Sequence, residues 1–523
     1  MERLTQNLTM PAIGLAGIIA LPLGALHAAE TPKPANPNVL IVINDDQSWI
    51  ECSAYGSSSI PTPQFDRVAR EGVLFTHGYT SAPSCAPSRA ALLTGRNFWE
   101  LEQGAFIQAW LPAKFPTLPE LLESAGYHAG YTGKGWGPGV DEPTGKRADP
   151  AGKRWDSLKI KSPPDGISNI DYAANFAQFL DAQPAGKPFY FWAGLIEPHH
   201  PHGKDNYKKP GVGLDAIKVP VFLPDTPGVR RHRANYLHEV LYADETLGKL
   251  LQLLADRGEL ANTLVIVTAD NGTPVPRAKA SVYDWGVRVP LAMMWPDRVP
   301  PGRTVDDFVN FADLAPTVLD AAGLPVPASM SGRSALNVLL SKSSGRVDTS
   351  RDFTVCGLEW HGDLPPYGQA ARMIRDERFQ YIVNYSEGPR FGLREGKEQP
   401  DSAFGKSAAT LDVVPLLSAH GGHPAIKHFV PLIQGPRPRE ELYDCFADPD
   451  QLKNLADDPG FSEVKSRLRT RLEAYQRQTK DPRLTGDMSI FSETLKFVQG
   501  RKSAGYSDAK PSANAPKNKA EPK

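Results

Sequence analysis

Two apolar runs constrain this chain more than anything else in it. Asn38-Val-Leu-Ile-Val-Ile43 leads into Asn44-Asp45-Asp46, and Leu264-Val-Ile-Val-Thr268 leads into Ala269-Asp270-Asn271-Gly272. A continuous apolar run bounded by polar residues predicts a strand buried on both faces, as in a parallel sheet covered by helices. Adjacent strand residues point to opposite faces, so Asp45 and Asp46 make sense together only in the loop past the strand end. Ligands of open α/β sheets bind at that carboxyl edge. Asp45, Asp46, Asp270 and Asn271 together would form a hard, all-oxygen site. Such donors favour Ca2+ or Mg2+ over zinc, and Ca2+ tolerates irregular geometry better.

A second constraint is Ser84-Cys85-Ala86-Pro87-Ser88-Arg89-Ala90-Ala91-Leu92-Leu93-Thr94-Gly95-Arg96. Pro87 is pre-set for a first helical turn, and the residues from Ala90 to Leu93 are good helix formers. Cys85 therefore falls at a helix N-terminus, where unpaired N–H groups lower a thiol pKa and attract anions. Arg89, four residues on, can fork onto the oxygens of a tetrahedral anion. Taken alone, Cys85 also fits a buried structural thiol.

At 523 residues the chain is long enough for one large and one smaller domain. With 59 Asp+Glu against 58 Lys+Arg, no whole-molecule field steers it to nucleic acid, and any polyanion must be held by a local patch. Arg3 followed by the apolar run Ala12 to Leu26, broken by Pro22, with small residues at Ala28-Ala29, predicts a secretory signal peptide over 1–29 rather than a membrane anchor. Export to the periplasm, or secretion, follows. No later run is long enough to span a bilayer. Residues 30–37 form a Pro-rich linker. Cys52, Cys85, Cys356 and Cys445 are too few for a disulfide framework, though one bridge is open, and their spacing does not suggest zinc.

Along the chain, Thr117 to Gly126 predicts a helix leading into Tyr127-His-Ala-Gly-Tyr-Thr-Gly-Lys134, and Lys187 to Gly194 predicts a strand. That strand ends in Glu197-Pro198-His199-His200-Pro201-His202, where prolines interrupt any regular metal-ligand face. Arg230-Arg231-His232-Arg233 reads as a solvated turn before an amphipathic helix from Tyr236 to Asp256. A polar stretch at 341–350 suits a domain boundary. Past it, Met373 to Tyr385 alternates like a strand pair, Glu440 to Asp444 begins a further segment, and Val464, Leu468, Leu472 and Tyr475 mark a helix. The residues after about Arg501 have no apolar period and are expected to be disordered.

The run Cys85-x-Pro87-Ser88-Arg89 followed by Leu93-Thr94-Gly95-Arg96 resembles the signature of type I sulfatases, whose cysteine is oxidised to formylglycine (3-oxoalanine) by a maturation enzyme. The resemblance extends from about Asn38 to Arg483. It implies an α/β fold of the alkaline-phosphatase-like type: a large mixed or parallel sheet sandwiched by helices in a catalytic domain (38–345), then a smaller C-terminal α+β domain (346–485) and an extension (486–523). By the same resemblance Asp45, Asp46, Asp270 and Asn271, with residue 85, hold one divalent cation. Lys134, in Gly133-Lys134-Gly135-Trp136, and Lys279, four residues before Tyr283, bind sulfate with Arg89. Sulfatases usually carry Gly-Lys-x-His at the first of these places; here Trp136 replaces the histidine that helps deprotonate the formylglycine hydrate. His199, in the Pro-His-x-Pro pattern, is implied as the acid for the leaving group.

Asp270-Asn-Gly-x-Pro-x-Pro, Glu441-Leu-Tyr-Asp444 and Thr479-Lys-Asp-Pro482 are most similar to heparan N-sulfatases (sulfamidases), in which Glu359 and His361 would contact the sugar. The implied substrate is a sulfated sugar, leaning to N-sulfoglucosamine. An O-sulfatase, a phosphonate or phosphate-ester hydrolase, and a catalytically weak glycan-binding protein are the alternatives.

Overall fold

A computed structural model of the chain describes residues 36–361, 370–385, 417, 421–433 and 435–503. The expected signal peptide, most of the linker and the tail beyond 503 lie outside these residues. Both apolar runs form strands: β1 (Asn38–Asn44) and, fifth in chain order, β5 (Thr263–Ala269). They pair in parallel at the centre of a seven-stranded sheet with β2 (Val73–Tyr79), β3 (His128–Gly133), β4 (Phe189–Gly194), β6 (Leu291–Met294) and β7 (Arg303–Asn310). The order is β3-β4-β1-β5-β6-β2-β7. Only β6 runs against its neighbours, so the sheet is mixed.

Why the runs are continuous is plain from their packing. Val39, Ile41, Ile43, Leu264 and Ile266 belong to the core on one face, while Leu40, Val42, Val265 and Val267 belong to the core on the other. Burying each such side chain contributes about 1.5–3 kcal/mol. Helices α1 (Pro63–Glu71), α4 (Tyr172–Asp181) and α5 (Pro227–Asp256) cover the second face, with Phe65, Phe176, Phe179, Leu247 and Leu251. Helices α2 (Cys85–Thr94) and α3 (Leu118–Ser124) cover the first, with Leu92, Leu93, Leu118 and Leu122. Thr117 and Glu120 close α3 with a capping box.

Helix α5 corrects one expectation. It begins at Pro227, so Arg230, Arg231, His232 and Arg233 form its first turns and not a solvated turn before it. Thr226 caps it, accepting from the Val229 N–H at 3.2 Å, and Pro227 takes the first helical position. Arg233 is buried in a two-pronged ion pair with Glu51, at 2.9 and 3.0 Å, and Arg230 pairs with Asp225.

The polar stretch 341–350 lies between β7 and a second, antiparallel sheet of order β11-β10-β9-β8. Its strands are β8 (Phe353–Leu358), β9 (Ala371–Asp376), β10 (Phe379–Asn384) and β11 (Glu440–Asp444), so the 373–385 segment is a strand pair. The helix Ser462–Gln478 carries Leu468 and Leu472 into the core shared with Phe98 and Trp99, and Trp99 Nε1 donates to Thr479 Oγ1 at 3.1 Å. A further helix, Ser489–Ser503, sets Phe491 edge-on to Phe106. All four cysteines are buried and free, so the open disulfide is not formed. Among the described residues no helix is long and apolar enough to cross a membrane.

Candidate active site

The carboxyl ends of β1 and β5 lie side by side, because Asn44 pairs with Ala269 in the parallel register. The chain leaving β1 turns sharply: Asp46 adopts φ 74°, a left-handed conformation that Asp tolerates better than most residues. This turn brings its backbone N–H to Asp270 Oδ1 at 3.1 Å. Tyr236 of α5 donates to the Asp46 carbonyl at 3.0 Å. Asp45, Asp46, Asp270 and Asn271 are all buried, within one cluster.

Three cations close over the three carboxylates. Lys279 Nζ donates to Asp46 Oδ2 at 2.6 Å, Lys134 Nζ to Asp45 Oδ2, and Arg89 Nε to Asp270 Oδ2 at 2.8 Å. Lys134 gets there because two glycines let β3 and β4 end in contact. A Cβ on Gly194 would stand 1.8 Å from the Lys134 carbonyl, and Gly133 has φ 76°. Arg89 sits one turn after Cys85 on α2 and also donates to the Lys134 and Gly135 carbonyls at 2.8 and 3.1 Å. Ser88 Oγ donates to the Asp270 carbonyl at 2.6 Å, which ties α2 to the end of β5.

Cys85 opens α2 and places Sγ 3.5 Å from Asp45 Oδ1. Donor atoms of Asp45, Asp46, Cys85 and His199 all lie within 4.8 Å of one another. His199 Nδ1 donates to the His200 carbonyl at 2.6 Å, which leaves Nε2 facing the cluster, 3.8 Å from Asp46 Oδ2.

The electrostatics follow from burial. Burial works to raise the Asp45 carboxyl, but Lys134, Arg89 and Lys279 outweigh it and hold it at about 2. Asp46 is pushed up to about 7 by burial, which the attraction of Lys279 does not overcome, with repulsion from Asp45 and Asp270 adding to the rise. Burial, then Lys279, holds His199 well below the ordinary histidine value. The Cys85 thiol differs from expectation: burial raises its pKa, and the helix N-terminus and lysines do not reverse that.

The donor chemistry fits a divalent cation. Asn271 Oδ1 is buried without a hydrogen-bond partner among the described residues, and it stands beside three buried carboxylates. Three carboxylates against three fixed cations leave the cluster balanced, so a dication would make it positive and receptive to a sulfate oxyanion.

The other residues read from the sequence differ in where they sit. Trp136 belongs to the apolar core on the α2 face and is 3% exposed. Glu359 is 3% exposed and engaged by Arg372 at 2.7 Å and by Arg483 Nε at 3.1 Å, so its carboxylate is committed to ion pairs rather than turned to a sugar. His361 is buried, with Nδ1 2.8 Å from Ser84 Oγ. Sequence reasoning missed Ser88 and Tyr236 as site supports. In the sequence Tyr236 marks only the expected start of the amphipathic helix.

Comparison with known proteins gives the family. The sulfatase family model matches residues 37–324, and the chain belongs to the sulfatase family of hydrolases, with its alkaline-phosphatase-like fold. A second model, the C-terminal region of N-sulphoglucosamine sulphohydrolase, matches residues 278–404. Human N-sulphoglucosamine sulphohydrolase is 29% identical over 88% of this chain and 93% of its own length. An ulvan-active sulfatase of Formosa agariphila is 25% identical over 86% of this chain and 76% of its own. A protein solved with its substrate D-glucosamine-2-N,6-O-disulfate shares the fold at TM-score 0.59 and 19% identity, covering 85% of this chain and 98% of that one. A phosphonate monoester hydrolase from Silicibacter pomeroyi does so at TM-score 0.62 and 19% identity, covering 85% and 96%.

Proposed function

We propose that this chain is an exported sulfatase that removes the N-sulfate of glucosamine units in heparan- or heparin-type glycans. The observation that carries the N-sulfate reading is the match of residues 278–404 to the C-terminal region of N-sulphoglucosamine sulphohydrolase, joined to an alignment with the human enzyme over 88% of the chain.

Asp45, Asp46, Asp270 and Asn271 are assigned to hold the divalent cation, Ca2+, which would act as a Lewis acid beside residue 85. Cys85 is assigned as the residue that a formylglycine-generating enzyme matures, supplying a hydrated aldehyde as nucleophile. The chain's own cations do the rest of the binding. Arg89, Lys134 and Lys279 are already ordered by the carboxylates, so they can share the negative charge of the sulfate oxygens without reorganising. His199 presents Nε2 to the cluster and is assigned to pass a proton to the departing nitrogen. With Nδ1–H held on the His200 carbonyl, Nε2 must first take up that proton, which the negative charge of a bound sulfate would favour. Trp136 cannot take a proton, so deprotonation of the nucleophile must fall to another group.

Sulfate release from N-sulfated glucosamine beside its 6-O-sulfated isomer tests the proposal, with Cys85→Ala as control. Release from the N-sulfated sugar alone supports it. Release only from the O-sulfated sugar would leave a sulfatase and overturn the specificity. That second reading is favoured by one observation: an ulvan-active sulfatase and an N-acetylgalactosamine-6-sulfatase also align, over 86% and 61% of this chain. Preference for a phosphate or phosphonate ester, or silence on all three with formylglycine present, would overturn both.

A further inference from the structure

Ser84 occupies the N-cap position of α2, with extended backbone angles (φ −155°, ψ 132°), yet its side chain makes no capping hydrogen bond. Serine in that position ordinarily turns its oxygen onto the N–H of the second or third helical residue. Here the third residue is Pro87, which has no N–H, so the capping target would be Ala86. The Ser84 hydroxyl points instead to His361 Nδ1, 2.8 Å away, and the pair is buried.

The contact is built from outside α2. Gly357, near the end of β8, donates its N–H to the Ser81 carbonyl at 3.0 Å, which stitches that strand to the loop before Cys85. Two residues further on, Glu359 is locked by Arg372, which is itself forked onto Asp481 at 2.7 and 2.9 Å. His361 is thus delivered to Ser84 by a buried charge cluster belonging to the C-terminal part of the chain. A second observation leaves a buried donor open on the same helix. Arg89, one turn on and fully buried, has Nη2 without a hydrogen-bond partner among the described residues.

We infer that His361 is a positioning residue that holds the Ser84 hydroxyl off the N-terminus of α2, so that the backbone N–H groups of Cys85 and Ala86 stay directed at the sulfate group that reacts at residue 85. This rests on the sulfatase reading above for the identity of the anion. Losing the contact frees Ser84 to cap Ala86, and the hydroxyl then competes with the sulfate for the same donor.

The test uses the full mature chain, with conversion of Cys85 checked by peptide mass in every variant. Sulfate release and the affinity for inorganic sulfate, by titration calorimetry, are both measured. His361→Ala should lower kcat/KM and sulfate affinity together by about tenfold, the scale of one hydrogen bond to a charged group. His361→Asn keeps a polar atom near the place of Nδ1 and should retain the wild-type values. Adding Ser84→Ala to His361→Ala removes the competing hydroxyl and should restore both.

A double variant as weak as His361→Ala overturns the inference and makes His361 a direct contact of the substrate. Loss of turnover in His361→Asn also overturns it, since the ring itself would then be needed. A wild-type protein silent on every sulfated sugar, yet binding sulfate in this His361-dependent and Ser84-rescued manner, would reject the proposed function and keep the inference.

Discussion

Arg89 Nε donates to Asp270 Oδ2 at 2.8 Å with both side chains wholly withdrawn from solvent. The pair joins the helix that begins at Cys85 to the strand end that carries the oxygen donors, so one contact ties together the two elements to which the proposed function assigns catalysis. Its neighbours complete the pattern: Lys134 on Asp45 and Lys279 on Asp46 give each carboxylate its own cation.

Arg89→Met leaves Asp270 buried without that partner. Removing one member of a buried pair costs about 3–5 kcal/mol. We expect a loss of that order in the denaturant unfolding free energy, together with loss of sulfate release. A loss below about 1 kcal/mol, the scale of an exposed pair, would show that the pair does not hold α2 to β5.

Chelation should abolish turnover, and added Ca2+ should restore it. A dication held by Asp45, Asp46, Asp270 and Asn271 in the folded chain has no such site in the unfolded one, so the melting temperature should rise on adding Ca2+ to the chelated protein. Differential scanning calorimetry with and without chelator reads this independently of activity. Equal melting temperatures would remove the metal assignment from these four residues.

Trp136→His restores the residue usual in the family pattern but puts a smaller, polar ring into an apolar core. A Cβ on Gly139 would stand 1.7 Å from the Trp136 ring, which shows how closely the indole lies on the chain. We expect destabilisation on the order of 3 kcal/mol and no gain in kcat. A rise in kcat would mean that the site reaches position 136 after all.

Asp244 of α5 supports the start of α1, accepting from the Gln64 and Phe65 N–H groups at 3.0 and 2.8 Å. Burial nevertheless raises its pKa from 3.8 to about 6, against the pull of those two N–H groups. Because the folded value lies above the unfolded one, its contribution to stability is full below about pH 4 and is lost as pH rises through about 6. Asp244→Asn should flatten the pH dependence of the unfolding free energy between those values. An unchanged slope would refute the assignment.

Much of the site was legible because its signals are local. The apolar runs of β1 and β5 name their own burial, and a carboxylate just past a buried strand has few places to go but the sheet edge. Cys85 to Arg96 declares a helix start through Pro87 and its alanines and leucines. By contrast, Arg230 to Arg233 looked solvated because charge density is a local property. Only the packed fold supplies Glu51 as the buried partner that carries Arg233 inside.

The sequence by itself determined the two central strands, the oxygen donors at their ends, the helix that opens at Cys85 and the family to which these belong, since each is written within a dozen consecutive residues. Only the tertiary structure decided what faces what. It inserted β6 antiparallel beside β5, and it set Lys134, Lys279 and Arg89 each on a separate carboxylate. It also raised the Cys85 thiol by burial and joined Glu359 to Arg372. Most tellingly, it brought His361 against Ser84 across 277 residues of chain. The physical reason is common to all of these. Desolvation and charge pairing depend on atoms that are close in space, and no local pattern of residue types carries that distance.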